Sequence, residues 1–139
     1  MSSRYGCSRY RCLAVLCAGL LYSLPAAADV VQDLLDEWRT ELRAAGDKTA
    51  FSAVAGRTAW YRDIAGRSCP SCHTDSPHKS GRHARTGKVI EPMAPSTNPQ
   101  RLTDRQHINK WLKRNCKWTF GRECTAQEKG DILTWLSQQ

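Results

Sequence analysis

Apolar residues recur at helical spacing in several separate segments of the chain, and these segments predict its secondary structure. The first covers residues 31–44, where the apolar positions fall on one helical face: Val31, Leu34, Leu35, Trp38 and Leu42. A second helix is expected over residues 51–64, with Trp60 and Tyr61 near its end. Polar residues occupy the other positions, so both helices are expected to pack one face on a core.

Two further helices are predicted near the C-terminus, each with a recognisable start. The third is expected to begin near Thr103 and Asp104, which are good capping residues. It carries Ile108, Trp111 and Leu112 on one face. The last opens with Thr125-Ala126-Gln127-Glu128, a capping box, and carries its own apolar residues: Ile132, Leu133 and Leu136.

The stretch between the second and third helices, residues 74–102, has no periodicity and is interrupted by proline and glycine. A loop this long in a compact domain is usually functional or disordered. No strand pattern appears anywhere in the chain. The pattern therefore predicts a small all-α protein of about four helices with one long irregular loop.

The first 28 residues differ in character from the rest. Three arginines precede an apolar run of thirteen residues, 12–24, which is followed by a Pro-Ala-Ala-Ala sequence. This order is typical of a secretory signal peptide cut between Ala28 and Asp29. A membrane anchor is the alternative, but thirteen residues are too few to cross about 30 Å of hydrocarbon. We expect residues 1–28 to be removed and the protein to be periplasmic, with no stable membrane insertion.

Export leaves residues 29–139 as one domain with an uneven charge. Between Lys79 and Arg122 there are eleven lysines and arginines but only two acidic residues. An exported protein rarely meets nucleic acid, so we expect no nucleic-acid partner. An acidic redox partner, attracted by charge, is the better interpretation.

Residues 69–73, Cys-Pro-Ser-Cys-His, are the strongest chemical signal in the chain. A structural zinc site would need two close ligand pairs, and Cys116 and Cys124 are too far apart in sequence for the second pair. A thioredoxin-like dithiol belongs in a βαβ unit, for which there is no pattern. Covalent haem attachment accounts for all three residues: Cys69 and Cys72 bind haem c, and His73 is the proximal iron ligand.

Two longer runs carry a family resemblance. They are RTGKVIEPMAPSTNPQRLTD, residues 85–104, and INKWLKRNCKWTFGRECTAQEKGDILTWL, residues 108–136. The motifs TGK-x-I, P-x-APS, WL-x-RNC and GR-x-C-T-x-x-EK in them resemble the SHP group (sphaeroides haem proteins) of monohaem cytochromes c, which are related to cytochrome c″. The similarity is strongest from Cys69 to the C-terminus.

The resemblance implies a class I-like cytochrome c fold whose sixth iron ligand leaves on reduction, so that ferrous haem binds O2, NO or CO. Carried over by position, that ligand is Asn115, and a disulfide joins Cys116 to Cys124. It also implies a dihaem or membrane-bound cytochrome as redox partner. From the residues alone, Asn115 would only cap the end of its helix.

Met93 is the alternative sixth ligand. It is the only methionine after the expected cleavage site and lies about where ordinary class I cytochromes place their ligand. A thioether there gives a conventional electron carrier that binds no gas. A third option is one of the loop or helix histidines, which are His78, His83 and His107.

Arg85 and Thr86 are candidate contacts to the haem edge, whereas Lys88 is expected to be solvated. Two functions are therefore open: an electron carrier and a gas-binding haem protein. A non-enzymatic role is favoured over turnover of oxygen or nitric oxide, for which the sequence names no catalytic residue.

Overall fold

The computed structural model describes residues 27–139, so the expected signal peptide lies outside the described residues, apart from the backbone of Ala27 and Ala28. Five helices and one short hairpin follow in order: α1 Ala27–Ala44, α2 Ala53–Tyr61, α3 Pro70–His73, β1 Gly81–Arg82, β2 Val89–Ile90, α4 Arg105–Phe120 and α5 Ala126–Leu136. The helix-dominated architecture confirms the predicted small all-α fold.

The starts of α4 and α5 and the end of α1 agree with the residues that the pattern indicated, whereas α1 begins four residues earlier than predicted. In α1 the apolar stripe is buried, with Trp38 only 1% exposed. The carboxylate of Asp104 accepts a hydrogen bond from the His107 backbone N–H at 2.8 Å and so begins α4. The capping box of Thr125 and Glu128 is present in full and begins α5. The α2 helix is shorter than predicted and ends at Tyr61.

The core lies where α1 and α2 pack against α5. Trp60 of α2 and Trp135 of α5 are both buried, with ring centroids 5.3 Å apart. Trp38 and Trp135 therefore both serve as core residues. The carboxylate of Asp131 in α5 is buried and accepts hydrogen bonds from the Ser52 backbone N–H and from Gln127 Nε2. These bonds fix the start of α2 against α5.

The loop after α3 is more regular than the sequence predicted. Gly81 pairs with Ile90 and Arg82 with Val89 in an antiparallel ladder. Strands of two residues are too short to show an alternating pattern, so the prediction of no strand is wrong at this place. The hairpin packs on α3 so closely that a Cβ at position 81 would collide with the carbonyl of Cys72.

Among residues 27–139, no helix combines the length and apolar character needed to cross a membrane.

Candidate haem site

The Cys-Pro-Ser-Cys-His motif forms a single short helix, α3. Pro70 occupies the first helical position, where its missing N–H costs nothing. The backbone N–H groups of Cys72 and His73 donate to the carbonyl of Cys69 at 3.1 and 3.0 Å. The two cysteines are therefore three residues apart on one helical turn, which places them on the same side. Within the described part of the chain they are the free cysteines, and both are half-buried.

The first cysteine of the motif contacts α4. Burial raises the pKa of the Cys69 thiol to about 11, against the opposing effect of a hydrogen bond with the Thr119 hydroxyl. Thr119 is itself 1% exposed. This contact brings the face of α4 that carries Thr119 next to the motif.

The second cysteine contacts the hairpin. The backbone N–H of Ala84, in the turn between β1 and β2, donates to Sγ of Cys72 at 3.4 Å. The two cysteines therefore lie near different elements: Cys69 is close to Thr119 of α4, and Cys72 is bonded to the hairpin.

His73 has the properties of an imidazole available to a metal. Burial, followed by the positive charge of Arg101, lowers the pKa of His73 to about 4, so the ring is neutral at physiological pH. Its Nδ1 atom is buried, and no group of residues 27–139 forms a hydrogen bond with it. The ring lies against Trp60, with centroids 5.2 Å apart. A neutral ring with an unsatisfied polar atom is expected where a cofactor completes the site.

The residues present fit a c-type haem better than zinc. A zinc site would need further ligands, yet residues 27–139 contain no group of three or more His, Cys, Asp or Glu side chains that could hold a metal ion. The haem instead needs two thiols, one imidazole and apolar surroundings. The α4 helix offers aromatic surface, since Trp111 and Trp118 are each 39% exposed.

Asn115 lies inside α4, one turn before Thr119, and the helix continues to Phe120. The expectation that it sits at the helix end is wrong, because Gly121 in a left-handed conformation (φ 71°) ends α4. Residues four apart share a helical face. Asn115 is half-buried on the face whose Thr119 contacts Cys69.

Met93 is also half-buried and packs against the core. Its backbone N–H donates to the carbonyl of Pro77 at 2.7 Å, which ties the segment around Met93 to the loop after the motif. The structure thus leaves both candidate sixth ligands partly accessible.

The three remaining histidines are placed differently from one another. His78 and His107 are exposed, and the ring of His107 lies 5.8 Å from that of Trp111. His83 is half-buried at the hairpin turn, where Nδ1 accepts from the backbone N–H groups of Arg85 and Thr86 at 3.3 and 3.2 Å. Arg85 and Thr86 are themselves exposed in this turn, and their contacts with the haem edge stay predictions.

Two residues next to the site had not been identified from the sequence, Thr119 and Arg101. The guanidinium of Arg101 is half-buried and donates to the backbone carbonyls of Glu91 at 2.7 Å and Pro92 at 2.8 Å. An arginine in a basic loop gives no local signal for such a role. For Thr119 there was a signal: it lies four residues after Asn115, and this spacing places both residues on one helical face.

The sulfur atoms of Cys116 and Cys124 lie 2.01 Å apart, which is bonding distance, and both residues are buried. This pairing closes the turn between α4 and α5. It joins the end of the helix that carries Asn115 to the start of α5.

Comparison with known proteins identifies the family of the chain. Residues 46–136 match the family described as domain of unknown function DUF1924. The cytochrome c-type protein SHP of Cereibacter sphaeroides is 49% identical over 72 residues, which covers 52% of this chain but only about half, 55%, of that protein. Cytochrome c″ of Methylophilus methylotrophus is 30% identical over 126 residues, covering 85% of this chain and 88% of that one.

Solved structures of the same two proteins share the fold. Oxidised SHP, described as an oxygen-binding cytochrome c, matches with a TM-score of 0.69 and 38% identity over 78% of this chain and 96% of that chain. A solution structure of cytochrome c″, described as giving insight into haem-ligand detachment, matches with a TM-score of 0.63 and 26% identity over 81% and 93%. The chain therefore belongs to the DUF1924 family and is a haem protein of the SHP type, related to cytochrome c″.

Proposed function

We propose that this chain is an exported, periplasmic monohaem cytochrome c that exchanges electrons and releases its sixth ligand, Asn115, on reduction, so that O2, NO or CO can bind. Cys69 and Cys72 hold the haem covalently, His73 is the proximal ligand, and Cys116–Cys124 is a disulfide. When bound, the haem supplies the redox change and the coordination position for the gas. The oxygen-binding description of SHP and the haem-ligand detachment described for cytochrome c″ support this proposal.

One arrangement carries the proposal: Cys69 and Cys72 lie on one helical turn that ends in His73, whose buried Nδ1 forms no hydrogen bond within residues 27–139. Thr119 of α4 lies near Cys69, and Asn115 lies one turn before Thr119 on the same face of α4. The amide oxygen of Asn115 is a neutral, hard donor, which suits ferric iron and is held poorly by ferrous iron. Reduction would therefore weaken the bond that Asn115 makes.

Met93 supports a second candidate function, a His/Met electron carrier without gas binding. The observation that favours it is the hydrogen bond from the Met93 backbone N–H to the Pro77 carbonyl, which holds the segment around Met93 in place. A thioether ligand favours ferrous iron and would remain bound after reduction.

Absorption spectra of the purified holoprotein, with and without carbon monoxide, separate the two functions. For ligand release we expect a high-spin ferrous form that binds carbon monoxide. The ferric low-spin form should be lost in Asn115→Ala and kept in Met93→Leu. Asn109→Ala is a matched control, because Asn109 is also a half-buried asparagine in α4.

A low-spin ferrous form that ignores carbon monoxide and disappears in Met93→Leu would reject ligand release in favour of the electron carrier. A purified protein that contains zinc and no haem would reject both. Haem that dissociates on acid–acetone extraction would contradict covalent attachment by Cys69 and Cys72.

A further inference from the structure

The turn of the β1–β2 hairpin lies against the haem-binding motif and faces solvent. Ala84 N–H donates to Cys72 Sγ, and Gly81 approaches the backbone of Cys72 and His73. An open crevice of about 340 Å3 lies beside this contact and is lined by both elements, including Cys72, Gly81 and Arg82. This surface is therefore in direct contact with one of the two residues that would carry the haem.

The same surface is strongly basic. Four exposed cations belong to it, Lys79, Arg82, Arg85 and Lys88, and residues 76–90 include no aspartate or glutamate. The ion pairs found within residues 27–139 involve none of these four. No ion pair within residues 27–139 neutralises these charges, so they are available to a partner.

An exposed apolar residue lies among these cations. Val89 is 56% exposed and pairs across the hairpin with Arg82. In many protein interfaces, charges of one sign attract the partner and a small apolar contact at the centre is buried on binding. Val89 among these cations has this arrangement.

We infer that this basic surface, Lys79 together with residues 81–90, is the docking surface for an acidic redox protein. The inference rests on the proposed electron exchange and names the surface at which that exchange takes place. One electron leaves the reduced partner, which is oxidised, and the cytochrome is reduced; no bond forms or breaks. Charge selects an acidic partner, and contact between the hairpin and Cys72 keeps the partner close to the haem attachment.

The test is an NMR titration of the holoprotein with flavodoxin, used as an acidic one-electron protein, at low ionic strength. The variant Lys79→Glu/Lys88→Glu reverses two exposed charges whose side chains form no hydrogen bond or ion pair within residues 27–139. We expect its dissociation constant to rise about tenfold or more, and shift changes in the wild type to centre on residues 79–90. The matched control is Arg43→Glu/Lys48→Glu, with the same charge change at and just beyond the end of α1, and should stay within about twofold.

Equal weakening in both double variants would overturn the inference, because net charge alone would then explain binding. Tighter binding to duplex DNA than to flavodoxin, lost in the same variant, would overturn it in favour of nucleic acid. Reduction by the small cation hexaammineruthenium(II) tests the proposed function separately. A wild type that this reagent fails to reduce would reject electron exchange, whereas normal reduction with unselective docking would reject only the surface.

Discussion

Gly56 in α2 lies directly against the backbone of Asp131 in α5, and a Cβ at position 56 would collide with the Asp131 carbonyl. This close approach sets the crossing of the two helices. Four residues after Gly56, the Trp60 ring contacts both Trp135 and His73 at centroid distances of 5.3 and 5.2 Å. The helix crossing and the position of His73 are therefore coupled through one tryptophan.

Replacing Gly56 by alanine is expected to destabilise the fold by about 2 kcal/mol or more, since the neighbour is backbone and cannot rotate away. Urea unfolding of the holoprotein gives the free energy. Val54→Ala, at an exposed position of the same helix, should change stability by no more than about 0.5 kcal/mol. A Gly56→Ala variant as stable as wild type would show that α2 and α5 can separate without cost.

The pairing of Cys116 with Cys124 predicts a measurable contribution to stability. A loop of about nine residues closed by a disulfide lowers the entropy of the unfolded chain by the equivalent of about 2.5 kcal/mol. Cys116→Ala/Cys124→Ala should lose at least that amount, because both side chains are also buried. Denaturant unfolding of this variant and of the wild type, with and without reductant, measures the loss. An unchanged midpoint in the reduced wild type would contradict the prediction.

Glu128 predicts a pH dependence of stability. Its carboxylate accepts two hydrogen bonds from Arg122, at 2.7 and 2.8 Å, and one from the Thr125 backbone N–H at 3.0 Å. The hydrogen bonds with Arg122 are the main cause that lowers the pKa of Glu128 in the folded protein. Because the folded pKa lies below the unfolded one, this stability is present above the ordinary glutamate pKa and is lost as pH falls through the folded value.

The variant Glu128→Gln should therefore be less stable than wild type at neutral pH by about 0.5 kcal/mol, because glutamine can still cap the helix but loses the ion pair with Arg122. The difference should shrink as the pH falls through the acidic range. Thermal unfolding across that range checks it. Glu41→Gln, an exposed residue of α1, is the control. A difference that stays constant down to low pH would show that the charge of Glu128 is not responsible.

Local signals explain what the sequence predicted correctly. The starts of α4 and α5 depend on Asp104, Thr125 and Glu128, which bond to backbone groups three residues away. The five residues of the Cys-Pro-Ser-Cys-His motif are consecutive, so the motif can be recognised in the sequence before any fold is known. Amphipathic periodicity was sufficient to identify Trp38 as a core residue.

The features that were missed depend on residues distant in sequence. Thr119 meets Cys69, and Ala84 meets Cys72, only because of how α4 and the hairpin pack. Nothing in a single sequence indicates which of these contacts forms. The position of Asn115 was misjudged for a local reason instead, because Gly121, six residues later, is a helix-stop signal that was not used.

Arg101 combines two effects on the candidate site. Its hydrogen bonds to the carbonyls of Glu91 and Pro92 hold the backbone directly before Met93. Its positive charge acts on His73, whose pKa it helps to lower after burial. With His73 as the iron ligand, as proposed, the same charge would also disfavour the additional positive charge of ferric iron.

Removing that charge should therefore lower the reduction potential. Arg101→Gln is expected to shift it down by tens of millivolts, on the order of 1 kcal/mol for one electron. Arg101→Lys keeps the charge but loses the paired bonds to Glu91 and Pro92, so it should retain most of the potential while loosening the segment around Met93. Spectroelectrochemical titration measures both variants.

The control is Arg105→Gln, which removes a more exposed charge that pairs with Glu37 and should leave the potential nearly unchanged. If Arg101→Gln and Arg105→Gln shifted the potential equally, the proximity of Arg101 to His73 would have no electrostatic consequence for the iron.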